Sequence, residues 1–316
     1  MESQKHKTRP LRHRRKFALA AAGLVVVTSL LMSGLHAAFS SFPGWNELFV
    51  AAGLRESASD AVAERTPGFL FVDVGQGDCT LVLGEQVSVM VDAGPSDAVH
   101  RVKEVLTSHA IERLDALILT HAHEDHIGGA AALLEACPVS AVYLPEGDPD
   151  GETDRESYDA LLETARAQEI GLVRLGESTE LCMEELTLSV YLSPLKLSDE
   201  NETGLVVRAA LPNLSALITG DAGTDTEFAL MERGDRLDSD ILKVGHHGSK
   251  TSTSLAFLRR VAPKVAVISV GDNTYGHPSE VVTSRLKNAD IAYYRTDVSG
   301  NIFIDDLNSM LLSDAA

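Results

Sequence analysis

The stretch HAHEDHIGGA, residues 121–130, decides the fold of this chain. It lies between an apolar run at 114–120 that predicts a strand and a second run at 127–136 that predicts a helix. Within it, three histidines and two carboxylates occupy six consecutive positions. A turn from strand to helix lets such side chains converge on one point, and imidazole with carboxylate suits Zn, Mn or Fe. The stretch therefore predicts most of a metal-binding, hydrolytic site.

Three later turns carry most of the remaining polar chemistry. They are GDA at 220–222, GHHGS at 245–249 and GHP at 276–278, and each follows an apolar run that predicts a strand. In each case the strand delivers Asp or His to a turn beside Gly, which lets the backbone approach closely or adopt a positive φ. We expect these turns to meet the histidine cluster where the strands end.

The sequence predicts short apolar strands and amphipathic helices from residue 68 to 305, in two halves with a similar order of elements. Each half is β-rich first and then β/α, which favours two packed sheets with helices outside, an α/β architecture. The predicted strands are 69–74, 80–83, 87–91, 114–120, 141–144, 172–175, 186–192, 204–210, 216–219, 241–244, 265–270, 291–295 and 301–304. The predicted helices are 98–109, 127–136, 155–168, 224–233, 252–261 and 279–288.

The charge of the chain is large and unevenly spread. The net charge is −19 over 316 residues, yet residues 1–16 carry +6, which leaves −25 on the remainder. A body this acidic is not that of a protein that holds duplex DNA through phosphate contacts. A polyanionic substrate would need metal ions or a local basic patch. Three widely spaced cysteines without a CxxC pattern argue against a disulfide framework.

The N-terminus predicts a membrane segment. Residues 1–16 form a basic head, and residues 17–39 form an apolar run long enough to cross a bilayer. The positive charges predict that the head stays cytoplasmic and that the rest lies outside the cytoplasm. We favour an uncleaved signal anchor, with a cleaved signal peptide and a secreted product as the alternative. Residues 40–67 predict a linker, and residues 68–316 a folded domain.

Six ordered motifs link residues 68–305 to a known family. HAHEDH matches the HxHxDH signature of the metallo-β-lactamase fold. The runs FVDVGQGDC, VDAG, THAHEDHIGG, TGDA, LKVGHHGSKTS and GDNTYGHPS resemble the hydrolase domain attached to ComEC-type DNA-uptake competence proteins. The chain lacks the multi-span channel domain of those proteins, so the resemblance leads us to expect a free-standing relative with one anchor.

This resemblance implies an αββα sandwich with two divalent metal ions, Zn or Mn. It assigns His121 and His123 to the first ion, Asp125 and His126 to the second, and Asp221 to both. Two such ions lower the pKa of a bridging water, and the resulting hydroxide attacks phosphorus or a carbonyl carbon.

The implied ligand set has a candidate for the last ligand of the second site but lacks the third histidine of the first site. His277 is expected to complete the second site. The family's third histidine on the first ion has no counterpart, because the chain offers Asn201 or Glu202 there. The first site is then weak or borrows His246 or His247. Either of these two histidines is also a candidate to stabilise the transition state or to protonate the leaving oxygen.

A further set of residues is expected to orient ligands or to contact substrate. Asp92 is interpreted as a carboxylate that orients a ligand histidine. For Asp73 and Asp78, capping of a turn is the alternative role. Ser249 and Lys250 are candidates for contact with a phosphate group of the substrate. The set is Asp73, Asp78, Asp92, Asn201, Ser249 and Lys250.

The sequence thus predicts a membrane-anchored, extracytoplasmic, metal-dependent hydrolase with phosphodiesterase or nuclease activity, and single-stranded DNA as a candidate substrate. The alternatives are the same fold acting on a β-lactam, a lactone or a cell-envelope phosphoester, and a non-catalytic binding module. The sequence indicates no stable protein partner.

Overall fold

Two mixed β-sheets lie face to face and carry helices on their outer surfaces. This computed structural model describes residues 65–147, 152–193 and 200–307, which belong to a compact unit that begins at Arg65. The strands are β1 (Gly68–Phe71), β2 (Thr80–Leu83), β3 (Ser88–Val91), β4 (Ala116–Ile118), β5 (Ala141–Pro145), β6 (Gly171–Leu175), β7 (Thr179–Met183), β8 (Leu186–Leu192), β9 (Leu205–Ala210), β10 (Ser215–Ile218), β11 (Ile241–Lys243), β12 (Val265–Ile268), β13 (Ala292–Arg295) and β14 (Ile302–Ile304).

The helices connect these strands. They are α1 (Val99–Ser108), α2 (Glu124–Ile127), α3 (Ala130–Ala136), α4 (Glu152–Ala167), α5 (Glu200–Thr203), α6 (Thr224–Arg233), α7 (Leu255–Val261), α8 (Glu280–Asn288) and α9 (Thr296–Ser299). Two 3₁₀ helices cover Ser96–Ala98 and Gly245–Gly248.

The two sheets repeat one plan. In the described ranges the first sheet has the order β14-β1-β2-β3-β4-β5-β6 and the second the order β13-β12-β11-β10-β9-β8-β7. Pairs from β14 to β3 are antiparallel and pairs from β3 to β6 are parallel. In the second sheet the pairs from β10 to β13 are parallel and those from β7 to β10 antiparallel. Each sheet therefore has a parallel half in which the carboxyl ends of the strands share one edge.

Three apolar clusters hold the layers together. One lies between the first sheet and helices α1, α3 and α4, and another between the second sheet and helices α6, α7 and α8. The middle cluster joins the inner faces of the sheets, with members such as Phe71, Val89, Leu188 and Val207. This arrangement confirms the predicted αββα sandwich, because apolar residues alternate between the two faces of most strands.

The structure corrects some predicted elements. The helix predicted at 127–136 is divided into α2 and α3, because Gly128 and Gly129 lie against neighbouring backbone. A Cβ atom on Gly129 would lie 2.5 Å from the carbonyl oxygen of Ala93. The prediction also missed β7, an edge strand whose exposed positions include Glu180 and Cys182. The short helices α5 and α9 were missed as well.

The predicted head, membrane segment and most of the linker, residues 1–64, lie outside the described residues. Within the ranges that are described, no helix is long and apolar enough to cross a membrane.

Candidate metal centre

The sites predicted from the four turns meet at the carboxyl-end edge of the two parallel halves. Asp92 follows β3, the HAHEDH segment follows β4, and Asp221 follows β10. The GHHG turn follows β11, and the loop that contains His277 follows β12. Because parallel neighbours end at the same edge, residues more than 100 positions apart in the chain become neighbours.

Among the described residues, four groups of side chains at this edge have ligand atoms close enough to share a cation, and two of these groups do not include Asp78. His121, His123 and Asp221 form the group that we call the first triad. Asp125, His126 and His247 form the second triad. In each group all the ligand atoms lie within 4.8 Å of one another.

The first triad is held mainly by one threonine. His121 is buried, and its Nδ1 lies 3.0 Å from Oγ1 of Thr120, to which it donates when that nitrogen is protonated. Its Nε2 lies 3.0 Å from Nδ1 of His123, which is half-buried. The two imidazole nitrogens thus face each other beside Asp221.

The second triad is held by a buried carboxylate. Oδ2 of Asp92 accepts from Nδ1 of His126 at 2.8 Å and from Oγ1 of Thr120 at 2.8 Å, while Oδ1 accepts from the Thr120 backbone at 2.7 Å. Both Asp92 and His126 are fully buried. The bond to Asp92 turns Nε2 of His126 toward Asp125 and Asp221, 4.0 and 3.3 Å away. Asp92 therefore lies where it orients His126, as a carboxylate does behind a metal-bound histidine.

His247 is fixed in the same way by the backbone. Its Nδ1 donates to the carbonyl oxygen of Ser269 at 2.9 Å, which leaves Nε2 as the acceptor. That Nε2 lies 3.2 Å from Oδ2 of Asp125 and 3.5 Å from Oδ1 of Asp221. The backbone reaches this position only through positive φ values of 48° and 51° at His246 and His247. Such values are uncommon outside glycine and occur often at functional sites.

The donor atoms fit a bound cation. Nε2 of His126, Nε2 of His247 and Oδ1 of Asp221 are buried and find no hydrogen-bond partner among the described residues, although burying a polar group unpaired is costly. Ligand atoms about 2.05 Å from a tetrahedral ion lie about 3.3 Å from one another. Four spacings within the cluster, of 3.0 to 3.5 Å, agree with that value, whereas the 4.0 Å between Nε2 of His126 and Oδ1 of Asp125 is longer. Imidazole and carboxylate donors also suit Zn and Mn.

Charges inside the cluster shift its pKa values. Burial alone would lower the pKa of His126, but the carboxylates of Asp221 and Asp92 outweigh it and raise the pKa well above its usual value. Burial would raise the pKa of Asp221, yet His247 and His126 hold it well below its usual value. Burial, reinforced by the charge on His126, lowers the pKa of His121. Asp221 is therefore ionised and His121 neutral at pH 7, the states in which they bind metal.

A buried ion pair lies behind His247. Nζ of Lys243 lies 2.8 Å from Oδ2 of Asp78 and donates to the carbonyl oxygen of Val244 at 2.8 Å. Both side chains are almost fully buried, and Oδ1 of Asp78 lies 3.6 Å from Nδ1 of His247. Asp78 is close enough to Asp221 and His247 to compete as a ligand, but Lys243 already neutralises it. Sequence reasoning missed Lys243, although a lysine in an apolar strand before the GHHG turn was a usable signal.

Other predicted residues lie at the rim or away from the cluster. Nε2 of His246 lies 3.5 Å from Oδ2 of Asp221, and its side chain is 28% exposed. The ring of His277 packs against His246 at 5.5 Å, so His247, not His277, is the histidine that lies beside Asp125.

The remaining four positions are less central. Asp73 accepts from the backbone of Gly75 at 3.1 Å and pairs with Arg101 at 3.2 Å, so it caps a turn and does not join the cluster. Asn201 lies on α5, just before β9. Ser249 is buried beside Thr251, whereas Lys250 is exposed.

Comparison with known proteins identifies the family. The sequence model of the metallo-β-lactamase superfamily matches residues 72–272. The chain belongs to this superfamily. Members form a class of metal-dependent hydrolases, and the match covers the strands and turns that form both triads.

The similarity to competence proteins is confirmed as well. The chain is 33% identical to ComE operon protein 3 of Bacillus subtilis over 252 residues, 73% of this chain and 32% of that protein. It is 30% identical to competence protein ComA of Neisseria gonorrhoeae over 297 residues, 90% of this chain and 39% of that protein. The chain thus spans about a third of the length of these relatives.

A solved structure supports the fold. The metallo-β-lactamase-fold protein YhfI of Bacillus subtilis superposes with a TM-score of 0.51, covering 75% of this chain and all of that protein, at 15% identity. The α/β fold class is therefore established by sequence and by structure.

Proposed function

We propose that this protein is a metal-dependent phosphodiesterase that hydrolyses single-stranded nucleic acid. The observation that carries the proposal is the pair of adjacent triads, in which Asp221 of the first lies 3.3 and 3.5 Å from Nε2 of His126 and His247 of the second. Two cations a few ångströms apart suit in-line displacement at a phosphodiester, because they clamp the attacking and leaving oxygens together. The similarity to competence proteins supports nucleic acid as the substrate.

The surroundings of each residue in the cluster determine its role in the proposed reaction. The triads would hold two divalent ions, which supply Lewis acidity for the attack of water. The pKa of Asp125 is low, because His126 and His247 outweigh the effect of burial. Asp125 therefore acts as an ionised ligand and carries no proton at neutral pH. Asp92 and Ser269 keep two ligand histidines in the correct tautomer.

His246 is the residue that we assign to the leaving group. Both nitrogens of His247 are directed inward, one to Ser269 and one to the cluster. His246 instead lies at the solvent-exposed rim of the ligand cluster, with its Nε2 beside Asp221. A histidine there has the reach and the access to solvent that a general acid needs.

Leaving-group dependence tests this assignment. His246→Gln keeps a similar shape but cannot deliver a proton, so kcat should fall about 10²- to 10⁴-fold on an alkyl phosphodiester. On a p-nitrophenyl ester, whose leaving group needs little protonation, the loss should be far smaller. His247→Gln should lower bound metal instead. Equal losses of kcat on both esters for His246→Gln would argue against a proton-transfer role.

The main experiment measures hydrolysis of a single-stranded oligonucleotide by the full-length chain. A chelator should abolish activity and Mn²⁺ or Zn²⁺ should restore it. His121→Ala should lose it, whereas the control His100→Ala, an exposed histidine of α1 that bonds Asp97, should retain it. Activity that resists the chelator, or that His121→Ala retains, would refute the proposal.

The acidity of the chain favours a second candidate. A net charge of −19 repels polyanions, which suits a neutral or small substrate such as a β-lactam, a lactone or a cell-envelope phosphoester. The same wild-type preparation assayed in parallel on a β-lactam reporter and a small phosphodiester separates the two. Turnover of the β-lactam without turnover of any phosphodiester would favour this candidate, and bound metal without any turnover would favour a binding module.

We also propose that the protein is anchored in the cell membrane with the hydrolase domain outside the cytoplasm. The support is the basic head and the apolar run at 17–39. Wild-type protein should resist alkaline extraction from membranes, and a chain that lacks residues 1–44 should be released. Recovery of the wild type at a reduced mass, free of the membrane, would indicate a cleaved signal peptide.

A further inference from the structure

One exposed aromatic ring lies next to the candidate metal centre. Tyr275 is 75% exposed, the highest value among the exposed large apolar side chains of the described ranges. A second exposed aromatic, Phe228 on α6, reaches only 49%. Single exposed apolar residues are common, so exposure alone means little. Position and rigidity distinguish Tyr275.

The loop that presents Tyr275 is fixed by one amide. Nδ2 of Asn273 donates to the carbonyl oxygens of Gly271 at 2.8 Å and His277 at 2.9 Å. Its Oδ1 accepts from the backbone of Tyr275 at 3.1 Å and of His277 at 3.0 Å. Four hydrogen bonds thus hold the turn around one side chain, and Gly271 also donates to Oε1 of Gln76. The backbone of the turn is therefore braced at several points, and the side chain of Tyr275 lies on its exposed side.

A row of rings leads from Tyr275 to the ligand cluster. The ring centroids of Tyr275 and His277 are 5.7 Å apart, with 31° between their planes. The next step, from His277 to His246, is 5.5 Å. Nε2 of His246 then lies 3.5 Å from Asp221. A phosphodiester placed at the cluster would thus lie at one end of this row of rings, with the exposed ring of Tyr275 at the other end.

We propose that Tyr275 is a stacking platform for a base of a single-stranded nucleic acid, next to the phosphate that the centre cleaves. The proposal rests on the proposed phosphodiesterase function and names a subsite for its substrate. Base–aromatic stacking does not depend on base identity, because every base has a π-face.

The charge of the protein explains why such a platform is needed. Proteins that bind nucleic acid through phosphates use a basic face, and their affinity falls steeply with salt. This chain carries −19 overall, so affinity must come from metal ions and from contacts without charge. Stacking provides the second kind, and we expect binding through Tyr275 to depend only weakly on salt.

The test compares two oligonucleotides of equal length, oligothymidylate and an abasic strand with the same phosphates. Both strands carry hydrolysis-resistant phosphorothioate linkages, and their Kd values are measured by fluorescence anisotropy with full-length, Mn²⁺-loaded protein in detergent. Wild type should bind the base-bearing strand about tenfold more tightly, since stacking of one base changes Kd by about 5- to 150-fold. Tyr275→Ala should bring this ratio close to one.

Two variants control the result. Tyr275→Phe keeps the ring and should keep the preference, and Phe228→Ala, which removes an exposed aromatic of α6, should behave as wild type. A wild type without preference for bases, or a preference that survives in Tyr275→Ala, would overturn the proposal. Hydrolysis is measured separately with Mn²⁺. Tyr275-dependent binding without hydrolysis would refute the phosphodiesterase proposal and leave the platform standing.

Discussion

The two triads of the candidate centre differ in how firmly they are supported. In the second triad, His126 is fixed by the buried carboxylate of Asp92 and His247 by the carbonyl oxygen of Ser269. In the first triad, His121 has only the hydroxyl of Thr120 behind it, and His123 is half-buried. A carboxylate raises the basicity of a ligand histidine more than a hydroxyl does.

This difference teaches how the centre is built. The second triad takes its two histidines from loops of different sheets, so packing of the sandwich itself sets their spacing. The first triad takes both histidines from one loop, and the resemblance predicts Asn201 or Glu202, both on α5, where the family carries a third histidine. The backbone nitrogen of Leu205, which follows α5, donates to the carbonyl oxygen of Thr120 at 2.8 Å, so this segment adjoins the first triad. We infer that the second triad binds its ion more tightly.

Removal of Asp221, which belongs to the first triad and also adjoins both histidines of the second, should have the largest effect. Asp221→Ala takes a ligand from both proposed ions, and a lost Lewis acid is worth several kcal/mol of transition-state stabilisation. Hydrolysis should therefore fall by at least about 10³-fold, since about 4 kcal/mol corresponds to that factor. Kinetics with saturating Mn²⁺ measure it. A loss below tenfold would mean that Asp221 does not serve both triads.

The buried Lys243–Asp78 pair should have the next largest effect, on stability. Lys243→Met leaves Asp78 charged and unpaired in the interior, which costs about 3–5 kcal/mol of unfolding free energy. The double variant Asp78→Asn with Lys243→Met removes both charges and should recover most of that loss. Urea unfolding measures both. Additive losses in the double variant would show that the two side chains act independently.

Variants that remove the groups hydrogen-bonded to the ligand histidines should have the third largest effect, which is on metal affinity. Asp92→Asn should weaken the tighter metal-binding step about 10- to 100-fold, because the carboxylate that orients His126 is lost. Thr120→Val removes a hydroxyl that contacts both His121 and Asp92, so it should weaken both binding steps. Metal titration followed by calorimetry distinguishes the two variants. If Asp92→Asn weakened the looser step more than the tighter one, the assignment of Asp92 to the second triad would be incorrect.

The smallest effect should be the pH dependence that Glu227 gives to the free energy of unfolding. Its carboxylate accepts from the backbone nitrogens of Thr253 and Ser254, beyond the GHHG turn of the second triad. Burial raises the pKa of Glu227 to about 7. The folded state therefore binds more protons than the unfolded state between about pH 4.5 and 7, so stability falls as pH rises through that window.

Comparison with an uncharged variant isolates this effect. Between pH 5.5 and 7.5 the wild type should lose about 2 kcal/mol of unfolding free energy relative to Glu227→Gln. Chemical unfolding in chelator, at several pH values, measures the difference. Parallel pH profiles for the two proteins would show that Glu227 does not titrate in this range.

The sequence allowed much of this to be predicted. Runs of apolar residues ending in HAHEDH, GDA and GHHG indicated the strands and the edge at which they meet, because parallel strands bring such turns together. The edge strand β7 was missed because its alternation of half-buried and exposed residues covers only five positions. The break between α2 and α3 depends on backbone contact with Ala93, which no local pattern encodes.

The pairing inside the centre was harder to predict. Asp78 and Lys243 are 165 positions apart, and their contact depends on how the two sheets pack. The choice between His247 and His277 beside Asp125 depends on the φ values of the GHHG turn, where two adjacent histidines adopt a left-handed backbone. Residue type and spacing identified the participants, and the tertiary structure decided which of them meet.

Titration of the metal-free, full-length protein with Mn²⁺ tests the central claim most directly, with bound metal quantified at each step. The account predicts two equivalents bound in two separate steps. His123→Ala should remove only the weaker step, and His126→Ala should remove the tighter one. A single step of two equal sites, or a tighter step that disappears in His123→Ala and persists in His126→Ala, would contradict it.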